Sequence, residues 1–243
     1  MTQGLLWRGM LAGILAALLA TLFARLFAEP QIDLAIAFEA GQHMHAMTGQ
    51  VIEEPELVSR ATQKGLGLLT AALLYGAAVG GIFALLFAYC YGRLAIIGPR
   101  TLALLLGILA FIVIAIVPAI KYPPNPPAVG LHETVGLRTA AYFAMIAMSI
   151  VACMISVQVR RAVESRVGAF NAFLLACAAF IVLITLTQLA LPAINEVPAR
   201  FPATILWSFR IASLGMQLVL WLAIALLFGA FANNFIRGRA DHN

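Results

Sequence analysis

The chain has 243 residues, of which 63% are hydrophobic and 10% charged, with a mean hydropathy of +0.99, whereas a soluble domain is roughly 45 to 50% apolar and about 25% charged. That balance excludes a water-soluble globule and defines an integral membrane protein, with the lipid bilayer as its first partner. A net charge of +5 would suit nucleic acid in a soluble chain, but the Lys and Arg residues sit almost wholly at the ends of apolar runs, where they set topology and bind no nucleic acid. Cys90, Cys153 and Cys177 lie inside apolar runs and are odd in number, which implies no disulfide framework.

In chain order, six runs are long enough to cross a hydrocarbon core of ~30 Å as helices: residues 5–28, 66–91, 101–120, 139–159, 169–191 and 211–232. Lipid cannot satisfy free backbone polar groups, and no period-two alternation of a barrel strand is visible. The expected fold is therefore all-α: a polytopic membrane helical bundle forming one transmembrane domain over 1–243, with six spans and five as the alternative count. The first run is twice the usual length of a signal-peptide core, and Leu26-Phe27-Ala28 before Glu29 lacks a small-x-small cleavage pattern, so it reads as an anchor. Six crossings put both termini on one side. That side carries eight arginines opposed only by Glu164 and Asp241, against six basic and eight acidic residues on the other, which orients both termini to the cytoplasm.

Span one carries Gly9, Gly13 and Ala17, and span two Ala72, Gly76, Gly80, Ala84 and Ala88, all at spacing four. Such faces let two helices close tightly, with Gly76 and Gly80 at the crossing; a narrow path lined by backbone is the less ordinary use. Between these spans, the outer loop 29–64 holds six acids, His43-Met44-His45 and Met47. Pro30 can open a short helix that puts Glu39 and His43 on one face, where oxygen and imidazole donors suit a divalent Co, Ni, Zn or Cu ion. His43 and His45 share a side only in an extended stretch, so the two pairs are alternatives. The plain reading of the loop is a polar, solvated connector.

After span three, Tyr122-Pro123-Pro124-Asn125-Pro126-Pro127 cannot be helical and forms a stiff extended turn, followed by His132 and Glu133. Its ordinary role is a structural cap. Its functional role would be a lid over a path between helices, with Asn125 and His132 as ligands. Arg25, Gln188 and Gln217 lie within spans and need partners. No Asp or Glu lies mid-span, so no buried carboxylate relay is expected. The segments VPAIKYPPNPP with GLRTAAYFAM, and LPAINEVPARF with SFRIASLGMQL, are nearly in register: Pro118 to Pro192 is 74 residues and Arg138 to Arg210 is 72. They hint at three repeated helical hairpins, although Pro at helix ends and Arg at membrane boundaries is also generic. No P-loop, H-E-x-x-H, G-x-S-x-G or C-x-x-C is present, so neither an enzyme nor a bound cofactor is expected.

The stretch LVSRATQKGLGLLTAALLYGAAVGGIFALLFA, with KYPPNPPAVG and TVGLRTAAYF, resembles the CbtA family, the large membrane subunit of a predicted bacterial cobalt transporter. The matching positions are Ser59, Arg60, Gln63 and Gly65 in the lead-in to span two, and Lys121, Tyr122, Pro123, Asn125, Pro126 and Pro127 in the proline turn. The resemblance implies uptake of cobalt for cobalamin synthesis across the bacterial inner membrane, beside a small single-span CbtB-like subunit, and the family is described with five spans. The expected function is thus a divalent-metal transporter subunit without its own ATPase, with Glu39, His43, His45 and His132 as candidate metal ligands. A homo-oligomer is compatible with it. A non-transporting membrane scaffold is the alternative, suggested by the small-residue faces and the lack of buried charge.

Overall fold

Lipid leaves the backbone no hydrogen-bonding partner but itself, and every regular element among the described residues is helical. The computed structural model describes residues 2–46, 59, 62–93, 97–127, 129–130 and 132–240, with backbone alone at 42–46, 63–64, 132 and 239–240. Helix α1 (Thr2–Phe27) is followed by α2 (Glu29–Ala46). A π-helical turn, Gln63–Gly67, leads into α3 (Leu68–Cys90). Helix α4 (Pro99–Ala110) passes through a π-helical segment, Phe111–Ile116, into α5 (Val117–Lys121). After a 3-10 turn at His132–Thr134 come α6 (Val135–Ala190) and α7 (Ala203–Ala240). Two compact units result, residues 1–110 with 202–243, and residues 111–201.

Two connections differ from the sequence reading. The expected outer loop 29–64 begins as a helix, because the chain interrupts α1 for one residue only. The Ala28 N–H still donates to Ala24 O, and Ala28 O accepts from the N–H groups of Gln31 and Ile32 at 3.0 and 3.1 Å. Pro30 falls in the first turn of α2, where its missing N–H costs nothing. The expected connection between spans four and five, 160–168, is helical up to 167. The break is Gly168 alone, at φ 81° and ψ 162°, a left-handed geometry that glycine takes without steric cost.

In the first unit, α1 packs against α3 and α7, α4 against α7, and α2 against α1 and α7. A Cβ added at Gly76 would lie 2.5 Å from Gly13 O and 2.6 Å from Ala17 Cβ; one at Gly80 would lie 2.8 Å from Gly13 Cα and strike Gly9 O. Backbone therefore meets backbone where α1 crosses α3. The same economy recurs between α4 and α7, where Gly107 faces Ala225 and Gly229 faces Ala103. Phe83 and Phe87 of α3 meet Phe228 of α7 edge to face, with ring centroids 5.5 and 5.0 Å apart, a favoured aromatic geometry.

These contacts fix the directions of the helices within the first unit. Gly4 meets Phe235 while Gly215 meets Phe23, so α1 and α7 are antiparallel and the chain begins and ends on one side. The Gly107–Ala225 and Gly229–Ala103 pairs make α4 antiparallel to α7 as well. Among the described residues five helices are long and apolar enough to span, and one of them, Val135–Ala190, is 56 residues long. Broken at Gly168, that helix is long enough for two apolar segments, so that five or six crossings fit the described helices.

Glycine pairs at the α1–α3 crossing and their neighbours should respond differently to one methyl group. Gly80→Ala should lower stability by about 1 to 3 kcal/mol through overpacking. At Gly81 an added Cβ would make ordinary contact with Met10 Cγ at 3.4 Å and Leu6 Cδ1 at 3.5 Å. Gly81→Ala should therefore be neutral or slightly stabilising through helix propensity. Thermal unfolding of both variants in the same detergent checks the difference.

Candidate functional site

The second unit is built on the hairpin of α6. Arg138 near its start reaches Glu196 beyond its end, so arms 135–167 and 169–190 run antiparallel. Their shared core with α5 comprises Val117, Tyr122, Ala141, Met145, Ala152 and Ile184. Polar groups on this core side are satisfied within their own helix: Ser149 donates to Met145 O at 2.7 Å, Ser156 to Ala152 O at 2.8 Å and Thr187 to Leu183 O at 2.9 Å. Back-bonding of this kind lets a hydroxyl sit in an apolar span.

The open end of the hairpin is closed by the proline turn. Helix α6 ends with carbonyls that have no intrahelical donor and carry the negative end of the helix dipole. Lys121 at the end of α5 donates its Nζ to one of them, Gln188 O. Tyr122, buried at 6% exposure, donates its hydroxyl to Pro192 O at 2.7 Å. From there the chain runs extended through Pro123 and Pro124 to Pro126, which is fully buried, and closes a turn in which Val129 N–H donates to Pro126 O at 3.3 Å. Gly130, at φ +129°, lies so close to the next contact that a Cβ there would be 2.9 Å from Glu196 Oε2 and would strike Arg138 Nη1.

That contact is the Arg138–Glu196 ion pair, with Nη1 to Oε2 at 2.5 Å and side chains 33% and 5% exposed. A carboxylate so buried requires charged or hydrogen-bonding partners. The turn 121–130 is thus a strap fastened at three points: an ammonium on a helix end, a phenol on a backbone carbonyl, and a glycine pressed on an ion pair. Burial also raises the Tyr122 phenol above its ordinary value of 10.0, which keeps it a proton donor across the physiological range.

The positions singled out in the sequence fall in different places. Lys121, Tyr122 and Pro126 come together in the strap, with Pro123, Asn125 and Pro127 along it. Ser59 Oγ accepts from Thr62 N–H at 3.3 Å and contacts Thr62 Oγ1 at 3.0 Å, ahead of the π-helical turn that contains Gln63 and Gly65. Arg60 lies outside the described residues. Gly76 and Gly80 sit at the α1–α3 crossing. Glu39 is exposed on α2, whose helical backbone continues through positions 43 and 45. His132 opens the 3-10 turn. The side chains of His43, His45 and His132 are outside the description, and among the described residues no three His, Cys, Asp or Glu residues gather as a metal site. The Arg138–Glu196 pair was not foreseen. Its partners are 58 residues apart, and the only sequence signal is one acid in the Pro-flanked segment LPAINEVPARF.

Five helices long and apolar enough to span among the described residues, glycine-mediated helix contacts and a polar strap across one hairpin end define a polytopic helical membrane protein. A family model described as a probable cobalt transporter subunit (CbtA) matches residues 2–233, and the chain belongs to that family. The match extends past the motifs of the first four spans into α7. No curated protein and no solved structure matches the chain.

Two measurements probe the strap. Arg138→Ala strands the Glu196 carboxylate and should cost roughly 1 to 3 kcal/mol; the Arg138→Leu, Glu196→Leu double variant should cost less than the two single changes together. Folding favours the neutral phenol of Tyr122, because burial raises its pKa above the unfolded value. Its stabilisation is therefore complete below pH 10.0 and is lost as pH rises above it. Tyr122→Phe should lower stability at neutral pH by about 1 kcal/mol, for one lost hydrogen bond, and should flatten the alkaline decline. Unfolding in detergent at several pH values reads both effects.

Proposed function

We propose that this chain is the membrane subunit of an importer that carries divalent cobalt inward for cobalamin synthesis, without an ATPase of its own. The observation that carries this reading is the family match over residues 2–233. The absence of a P-loop motif from the sequence supports the missing ATPase. The family description as a subunit supports a second component, for which a small single-span CbtB-like protein is the proposed partner. The arginine bias of the loops supports a bacterial inner-membrane orientation with both termini cytoplasmic.

Metal capture is assigned to α2. On a helix, positions 39 and 43 are one turn apart, while 45 is rotated about 200° from 43. This register favours Glu39 with His43 as the collecting pair and leaves His45 apart from it. His132 and Asn125, on or just after the strap, are the proposed ligands further along. The strap is the proposed lid, since its fastenings at Lys121, Tyr122 and the Arg138–Glu196 pair are few and polar.

The importer reading is tested with a cobalamin-requiring strain lacking this gene. Uptake of labelled cobalt at limiting metal should fall well below that of the parent; equal uptake rejects import. With import established, His43→Ala should raise the apparent KM for cobalt while leaving the maximal rate nearly intact, as befits a collecting site outside the path. His45→Ala alone should do much less, and the double variant should resemble His43→Ala. The difference between wild type and His43→Ala should shrink below pH ~6.5, where protonation takes the imidazole donor from wild type as well.

A further inference from the structure

The closed end of the α6 hairpin has chemistry that neither the bundle nor the strap uses. Arm 135–167 is about 50 Å long. Even at a tilt of ~40°, the upper end of what membrane helices adopt, it would project about 38 Å along the membrane normal, more than the ~30 Å of hydrocarbon. Lys121, Arg138 and Glu196 hold the strap end out of the hydrocarbon. Counted from Arg138, the core is crossed within about 20 residues, close to Gln158. The tip beyond that point lies at headgroup level.

One continuous face changes character at this boundary. Val151, Met154, Ile155 and Val159 line a shallow trough with Gln158 and Ala162 at its far end, and Met154 is 64% exposed. Arg161 follows one turn after Gln158 and Arg166 one turn after Ala162, both exposed. Arg160 is engaged elsewhere, with Nη2 3.6 Å from Glu164 Oε1. Glu164 is the only acid between residues 151 and 190, against three arginines. The hairpin is held at its turn by Asn171 Nδ2 donating to Val167 O at 3.0 Å, so the arginines stand on regular helix. An apolar trough in the hydrocarbon ending in two guanidinium groups at headgroup depth is complementary to a molecule with an acyl chain and a phosphate. Guanidinium pairs with phosphate through paired N–H donors, and membrane-proximal arginines attract anionic lipid.

We propose that this end of α6 binds an anionic phospholipid, its phosphate held by Arg161 and Arg166 and an acyl chain lying along Val151, Met154, Ile155 and Val159. The lipid covers the trough and fixes the depth of the hairpin in the bilayer. A second protein on this face would need acidic groups placed for the same arginines; the membrane itself supplies phosphate at that depth.

The test uses the full chain, purified in detergent and stripped of lipid. Phosphatidylglycerol and phosphatidylcholine of identical acyl chains are titrated separately, and bound lipid is counted by native mass spectrometry. The wild type should prefer phosphatidylglycerol by roughly thirtyfold, about fivefold for each arginine near an anionic headgroup. The Arg161→Gln, Arg166→Gln variant should bind the two lipids nearly equally, while Arg160→Gln should keep most of the preference. Both changes are on exposed positions, and unchanged size-exclusion and circular-dichroism profiles establish that the variants are folded. Equal binding of the two lipids by wild type overturns the proposal. So does a double variant that keeps its preference, or an Arg160→Gln variant that loses it as fully as the double, since that outcome describes a diffuse field with no site.

Discussion

Hydrocarbon offers a polar group nothing to bond to, and each part of this chain answers that constraint locally. Backbone groups are satisfied by helices, which is why no other regular element occurs among the described residues. Ser149, Ser156 and Thr187 return their hydroxyl protons to carbonyls one turn back. Where a helix must end, its last carbonyls need donors from elsewhere. At the end of α6 the Lys121 ammonium supplies one of them, and Tyr122 serves the Pro192 carbonyl just beyond. The buried Glu196 carboxylate is held by Arg138.

The same solvent removes the usual reason for helices to associate, because lipid tails are as apolar as leucine. Contact must then come from close approach. Glycine pairs at the α1–α3 crossing bring backbones together, and Gly107 and Gly229 do so between α4 and α7. Large aromatic rings fill what remains, as Phe83, Phe87 and Phe228 do. Because these pairings are all antiparallel, they also set directions within the first unit: α1 and α4 run one way, α3 and α7 the other.

The positions proposed as metal ligands fall in both units. The first unit contains α2 with Glu39 and the positions of His43 and His45, and the second contains the strap and the position of His132. The helical backbone of α2 puts positions 39 and 43 one turn apart, the spacing on which the proposed metal capture rests. The strap contains most of the recognisable proline-rich motif, yet its fastening depends on Arg138, Gln188, Pro192 and Glu196, which no contiguous motif contains.

Length, apolar runs and the placement of arginine were enough to determine an all-helical membrane bundle, because burial in lipid acts on each segment independently. The small-residue spacing of Gly76 and Gly80 was likewise legible, since a smooth helix face is a property of one helix. The proline turn could be read as non-helical from its own residues. Other features required the folded chain. The register of sequence-distant segments decides that Arg138 meets Glu196, and nothing local encodes a pairing 58 residues apart. The extension of helix through 160–167 and the reversal at Gly168 alone were hidden because polar arginines there look like a loop, while their helix propensity and the Arg160–Glu164 pair sustain the helix beyond the membrane. The direction in which α7 packs against α1 and α4, finally, is a relation that exists only between helices and not within any of them.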